Sequence, residues 1–258
     1  MNFHSMAFVT AGMGMFATGQ IRPTPASPQY PLAMNTRWTY EMRQEFGPGV
    51  HPSGQTAALV KGNVLDTTLV SEVAGSDVIS GVRYARVESR HDGRAWMMEW
   101  LRLTPDGLFL GKTNEEGKET LLAPPQKMLS PRMAAGEAWD WKALNAPVSV
   151  HVRVMGKEAT DVPAGKFEAL KTVHELSMVL PQATIRSTNS RWFVAGLGYV
   201  RQESEVHAGD RLLTRTQLRL TAFEAGHSAA AKPSEKGLSM QVSGRDYKRR
   251  ITGDPTVK

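Results

Sequence analysis

Val148-Ser-Val-His-Val-Arg-Val-Met155 alternates apolar and polar residues without a break, and a period of two marks a strand with one buried face. Leu218, Leu220 and Ala222 alternate with Gln217, Arg219 and Thr221 in the same way. Residues 79–90, 94–104, 166–180, 184–195 and 198–206 are rich in Val, Leu, Thr, Trp and Tyr and also read as strands. Between such runs stand Asp92-Gly93, Asp106-Gly107, Glu116-Gly117 and Ala208-Gly209-Asp210, residues that tolerate positive φ and so close hairpins. The pattern predicts an all-β chain, an antiparallel half-barrel or curved sheet with little helix. A short helical turn is considered only around Met128 to Ala138, where Pro131 and Gly136 limit its length.

The strands fall into two related halves. Pro31-Leu-Ala-Met-Asn-Thr-Arg-Trp38-Thr-Tyr40 has a counterpart in Pro131-Arg-Met-Ala-Ala-Gly-Glu-Ala-Trp139-Asp-Trp141. Gly81-Val-Arg-Tyr84 is echoed by Gly165-Lys-Phe167, and Trp100 followed by Gly107 is echoed by Trp192 followed by Gly198. The landmarks recur in one order without a strict period. In each W-x-[YW] pair both aromatics share a strand face. A half of a few strands cannot hide its edges and its apolar face, so the halves are expected to join in one sheet.

The expected organisation is a signal peptide at 1–19, a Pro-rich linker at 20–30, one β domain at 31–225 and a flexible basic tail at 226–258. The domain divides into halves at 31–125 and 126–225. The leader is apolar from Met6 to Phe16 but has no Lys or Arg before Arg22, so its export signal is weak. Net charge is +6, but residues 227–258 hold seven Lys/Arg against three acids, leaving 24 bases and 22 acids in the body. A nearly balanced body argues against nucleic acid as a partner, while the tail could touch an anionic surface. Cysteine is absent, which removes disulfides, thiolate metal sites and a cysteine nucleophile. No apolar run is long enough for a membrane-spanning helix.

Asp161-Val-Pro-Ala-Gly-Lys-Phe167-Glu-Ala-Leu-Lys171, followed by Arg191-Trp-Phe-Val-Ala-Gly-Leu-Gly-Tyr-Val-Arg201, resembles a group of exported bacterial envelope proteins of unknown function. Those proteins share a Pro-Ala-Gly-x-Phe turn and a Trp-aromatic-x-x-Gly-x-Gly strand pair, and they lie near the LolA/LolB lipoprotein-carrier superfamily. The resemblance implies an open antiparallel half-barrel with an apolar interior and a periplasmic or extracellular address. This chain lacks the cysteine of the lipoprotein members and a clear helical plug.

Chemistry-bearing patterns are sparse. The histidines show no metal spacing, and His91, His151 and His207 read as solvated strand or turn residues. His174-Glu175 lacks the second histidine of a zinc-protease motif. His51-Pro-Ser53-Gly54 has no strand-to-helix context for a serine nucleophile. Glu99, Glu158, Asp161, Glu175 and Glu203 could supply paired carboxylates only if the fold brought two together. No cofactor, metal or catalytic residue is expected. Trp96-Met-Met98-Glu-Trp100 would place both tryptophans and Met98 on one face, as a ligand-lining wall or as packing between halves. The candidate ligand-binding residues are therefore Trp38, Tyr40, Trp96, Met98, Trp100, Trp139, Trp141 and Trp192. The expectation is a non-enzymatic exported envelope protein whose half-barrel binds an apolar molecule or a partner segment. A structural or assembly factor using the sheet edge and tail is the alternative, and a carboxylate-dependent hydrolase is the third.

Overall fold

The structure is a computed structural model that describes residues 30–52, 57–144 and 146–227. The expected leader, the linker up to Gln29, Ser53 and the tail beyond His227 lie outside those residues. Twelve strands follow in order: β1 (Arg37–Phe46), β2 (Val64–Ile79), β3 (Val82–His91), β4 (Arg94–Thr104), β5 (Gly107–Glu115) and β6 (Lys118–Leu129). The second six are β7 (Ala138–Lys142), β8 (Val148–Val162), β9 (Gly165–Val179), β10 (Thr184–Val194), β11 (Gly198–Ala208) and β12 (Arg211–Glu224). Helix is confined, among the described residues, to Ala57. The helical turn considered near Met128 is not formed, because β6 runs through Met128 and a turn-rich loop follows.

All twelve strands join one antiparallel sheet in the order β6-β5-β4-β3-β2-β1-β12-β11-β10-β9-β8-β7. Each six-strand run is a meander of hairpins, and the chain's first and last strands join the runs. Ser80-Gly81, Asp92-Gly93 and Glu116-Gly117 each have two consecutive positive φ values between paired strand ends. That is the type I′ geometry whose twist suits a two-residue hairpin. The sheet curls into a nearly closed barrel. Its inner face carries the core, with Met42 opposite Leu218 on β12 and Val73 opposite Val87 on β3. Burial of these side chains is the main driving force, at roughly 1.5–3 kcal/mol each.

The two meanders carry irregularities at matching places. A bulge lies at Val73/Gly75 between β2 and β3, and another at Val154/Gly156 between β8 and β9. A second pair follows Trp100 in β4 and Trp192 in β10. Both tryptophans are flanked by cations, Lys112 at 4.5 Å from the Trp100 ring, and Lys171 and Arg201 at 4.8 and 4.4 Å from Trp192.

The barrel closes where β6 meets β7, without a strand ladder. Pro124 and Pro125 cannot donate to β5, and residues 122–125 bulge away between the pairs Lys112–Leu121 and Leu110–Gln126. The carbonyls of that bulge turn to the other edge. Leu144 N–H donates to Ala123 O at 2.8 Å, and the Trp141 indole donates to Pro124 O at 2.8 Å. The Trp139 indole donates to Lys127 O at 3.0 Å. Trp141 also packs with Val150 and Val152 in a small second apolar cluster. Each of the two sheet edges thus covers the other, which blunts the exposed edge that an open sheet would present.

Candidate functional site

Inside the barrel lies a cavity of about 110 Å³, walled by both meanders. Trp38 and Tyr40 on the inward phase of β1 form one side, and Leu69 and Ser71 of β2 continue it. The aromatics are locked in place: the Trp38 indole donates to Leu197 O, and the Tyr40 hydroxyl donates to Tyr199 O at 2.9 Å. Tyr30, just before β1, stacks on Phe193 at 6.3 Å and meets Tyr199 edge-on at 5.6 Å. Ser71 and Ser89 share a hydroxyl hydrogen bond of 2.8 Å across β2 and β3.

A bulge in β4 decides what that strand shows the cavity. Ala95 pairs with Arg90 and Met97 with Ser89, so Trp96 is left without a partner. Trp96 and Met97 both reach the cavity, and the phase continues inward through Glu99 and Leu101. Met98 and Trp100 consequently lie on the outer face, opposite Glu88 and Arg86. The expectation that Trp96, Met98 and Trp100 share one face is therefore corrected. The Trp100 indole instead donates to Asp77 at 2.7 Å, under Lys112.

Of the eight candidate residues, Trp38, Tyr40 and Trp96 line the cavity. Trp139 and Trp141 hold the seam, Met98 and Trp100 face outward, and Trp192 sits between Lys171 and Arg201 away from the cavity.

Of the polar members, the sequence presents Glu99 only as one of a possible carboxylate pair and does not single out Arg191 or Tyr199. Glu99 of β4 and Arg191 of β10 both line the cavity. Burial pushes the Glu99 carboxyl above its ordinary range, and the Arg191 guanidinium partly opposes this. Burial also raises the Tyr199 hydroxyl, again against Arg191, and raises Tyr30 and Tyr40. On the same face, His174 of β9 lies opposite Asn189 of β10, with Thr172 opposite Arg191. His174 is buried, touches the Thr172 hydroxyl at 3.3 Å, and is held well below its ordinary pKa by burial and then by Arg191. Its imidazole is neutral at neutral pH. Asn189 Oδ1 and Arg191 Nε have no hydrogen-bond partner, while the Tyr199 hydroxyl has only the Arg191 guanidinium beside it. Each such buried group costs about 1–3 kcal/mol until something satisfies it.

One signal could have found them. In phase with inward Val152 and Val154, β9 and β10 place Thr172, His174, Asn189 and Arg191 on the barrel's inside. Polar residues in register with a buried apolar row are the unusual feature.

His91 is buried rather than solvated, because the inward phase of β3 carries it under the Trp96 ring, 6.2 Å away. His151 is solvated and bonds Asp140 at 2.7 Å. Among the carboxylates, Glu158, Asp161, Glu175 and Glu203 pair with Lys171, Lys166, Arg153 and Arg201, and Glu99 alone lines the cavity. A larger hollow of about 470 Å³ over the outer face of β1–β3 holds Glu72 and Glu88, matched to Arg37 and to Arg86 and Arg90. No cluster of three His, Asp or Glu residues suited to a metal occurs among the described residues.

The family model described as DUF3108-like matches residues 141–218, a span that contains the Pro-Ala-Gly-Lys-Phe turn and the β10–β11 pair. No curated protein matches the chain. A crystal structure from Bacteroides fragilis, provisionally described as an exported protein with a YmcC-like fold, is 14% identical, with a TM-score of 0.42. It covers 77% of this chain and 99% of its own. One from Parabacteroides distasonis, provisionally described as a lipoprotein, is 12% identical with a TM-score of 0.42, covering 78% of this chain and 100% of its own.

Proposed function

We propose that this is an exported envelope protein that binds a small molecule, without chemistry, in the interior of its barrel. The observation that carries the reading is a cavity within the barrel with aromatic walls, one of whose polar groups, Arg191 Nε, lacks a partner within the protein. Preformed apolar walls with a few converging polar groups are the usual make-up of ligand sites. The volume narrows the ligand. A cavity of 110 Å³ suits a handful of non-hydrogen atoms, since a cavity of about 150 Å³ takes up benzene. A lipid chain does not fit it as it stands.

The matching bulges and cation-flanked tryptophans support a second element of the reading, that the meanders are two copies of one unit. A partner captured by a free sheet edge has less support, because β6 and β7 cover one another. Two carboxylates converging in the cavity, as a hydrolase would need, are not present among the described residues.

Purified full-length protein, mixed with a cell extract and analysed by native mass spectrometry, should retain a compound of small mass. A ligand at a hundred times its Kd adds about 2.7 kcal/mol of stability, so the same compound should raise Tm by several degrees. Retention of no compound, with only ordered water in a high-resolution structure of the cavity, would overturn the reading.

A further inference from the structure

We propose that the ligand is a small zwitterion, its ammonium end held at Glu99 and its carboxylate end at Arg191. The inference rests on the binding reading above and names the class of molecule for that site. Glu99 projects from β4 and Arg191 from β10, strands of different meanders, into one cavity. They influence each other through space but share no hydrogen bond, and Arg191 Nε has no partner at all. Glu99 and Arg191, each half-buried at the cavity wall and not paired with each other, leave two charges to be matched. A monoanion matches only Arg191, a monocation only Glu99, and a neutral molecule neither. An uncompensated buried charge is strongly unfavourable, so a ligand bearing both charges has the advantage.

The rest of the wall agrees. Tyr40 and Trp96 line the cavity beside Glu99, and aromatic rings near a carboxylate favour an ammonium and its alkyl groups. Leu69, Val87 and Leu101 offer room for a short apolar side chain; of the other polar wall groups beside Gln202, Ser71 and Ser89 bond each other and Arg201 is already matched by Glu203. The volume admits a molecule of the size of alanine or glycine betaine.

Isothermal titration of the full chain with alanine, glycine betaine, propionate and tetramethylammonium tests the inference. One of the two zwitterions should bind at least tenfold tighter than either singly charged probe. Glu99→Gln and Arg191→Gln should each weaken that zwitterion at least tenfold, and Arg191→Lys should restore part of the loss. Because a variant could fail through misfolding, each must show the wild-type circular dichroism and a cooperative melt, and Arg191→Lys serves where Arg191→Gln does not fold. Propionate binding as tightly as the zwitterions, with no effect of Glu99→Gln, would overturn the proposal in favour of a simple anion site. If no probe binds but native mass spectrometry of an extract retains a compound of another class, the zwitterion fails and the binding reading survives. Water alone bridging Glu99 and Arg191, with nothing retained, sinks both.

Discussion

Replacing Trp141 with Phe should loosen the barrel at one place, the junction of β6 and β7. The substitution keeps an aromatic ring against Val150 and Val152 but deletes the indole N–H that reaches Pro124 O at 2.8 Å. A hydrogen bond of this kind contributes about 1 kcal/mol net. Pro124 is exposed, so its carbonyl can turn to water and adds no buried-orphan penalty. The smaller ring surrenders roughly another 1 kcal/mol of buried apolar surface. A loss of about 2 kcal/mol should lower Tm by roughly 4–8 °C in a domain of this size. The local readout is sharper than the melt. Leu144 N–H donates to Ala123 O across the same junction, so its hydrogen exchange should accelerate, while amides in the β2–β3 ladder keep their protection. An unchanged urea midpoint together with unchanged exchange at Leu144 would refute the idea that the indoles hold the barrel shut.

Glu99→Gln should stabilise the protein at neutral pH. The folded state holds the Glu99 proton above the ordinary carboxylate range, so wild-type stability falls as pH rises from that range through the raised value. The variant should lack that fall, which urea titrations at pH 4 and pH 8 will reveal; equal wild-type and variant profiles would contradict the buried placement. His174→Gln should remove the opposite slope. The folded imidazole resists protonation, so wild-type stability is lost as pH drops below the ordinary histidine value, and the variant should be flatter from pH 6.5 to 5. Gly111→Ala should cost roughly 1–3 kcal/mol by overpacking, because a Cβ there would lie 2.6 Å from the buried Tyr84 ring. A melt within error of wild type would show that Tyr84 moves aside freely.

Strands with clean alternation were legible from residues alone. Val148–Val154 and Leu218–Leu220 read correctly, and the Asp-Gly and Glu-Gly turns placed the hairpins, but Ala222 is exposed rather than inward because Thr221 is unpaired at a bulge opposite Thr39/Tyr40. β6 was not legible, since Pro124 and Pro125 argue against a strand, and only an edge position with a wide bulge reconciles them with one. The site was half legible. Trp38 and Tyr40 follow from simple alternation, whereas the face of Trp100 was misread because one unpaired residue, Trp96, reverses the phase behind it. Glu99 and Arg191 could not be joined by spacing, for they lie on strands of different meanders and meet only once the sheet has curled.

The joint between β1 and β12 has a kinetic consequence. Every other ladder links strands adjacent in sequence, but Thr221 Oγ1 donates to Thr39 O across 182 residues. Hairpins form in about 1–10 μs, whereas a closure spanning most of the chain carries a larger entropic barrier, one that grows with the logarithm of the loop. Folding should therefore divide into two early meanders and one late docking step. Until residues after Arg211 have been made, β1 has no neighbour on one side, and Trp38 and Tyr40 wait for the wall that the last strand completes.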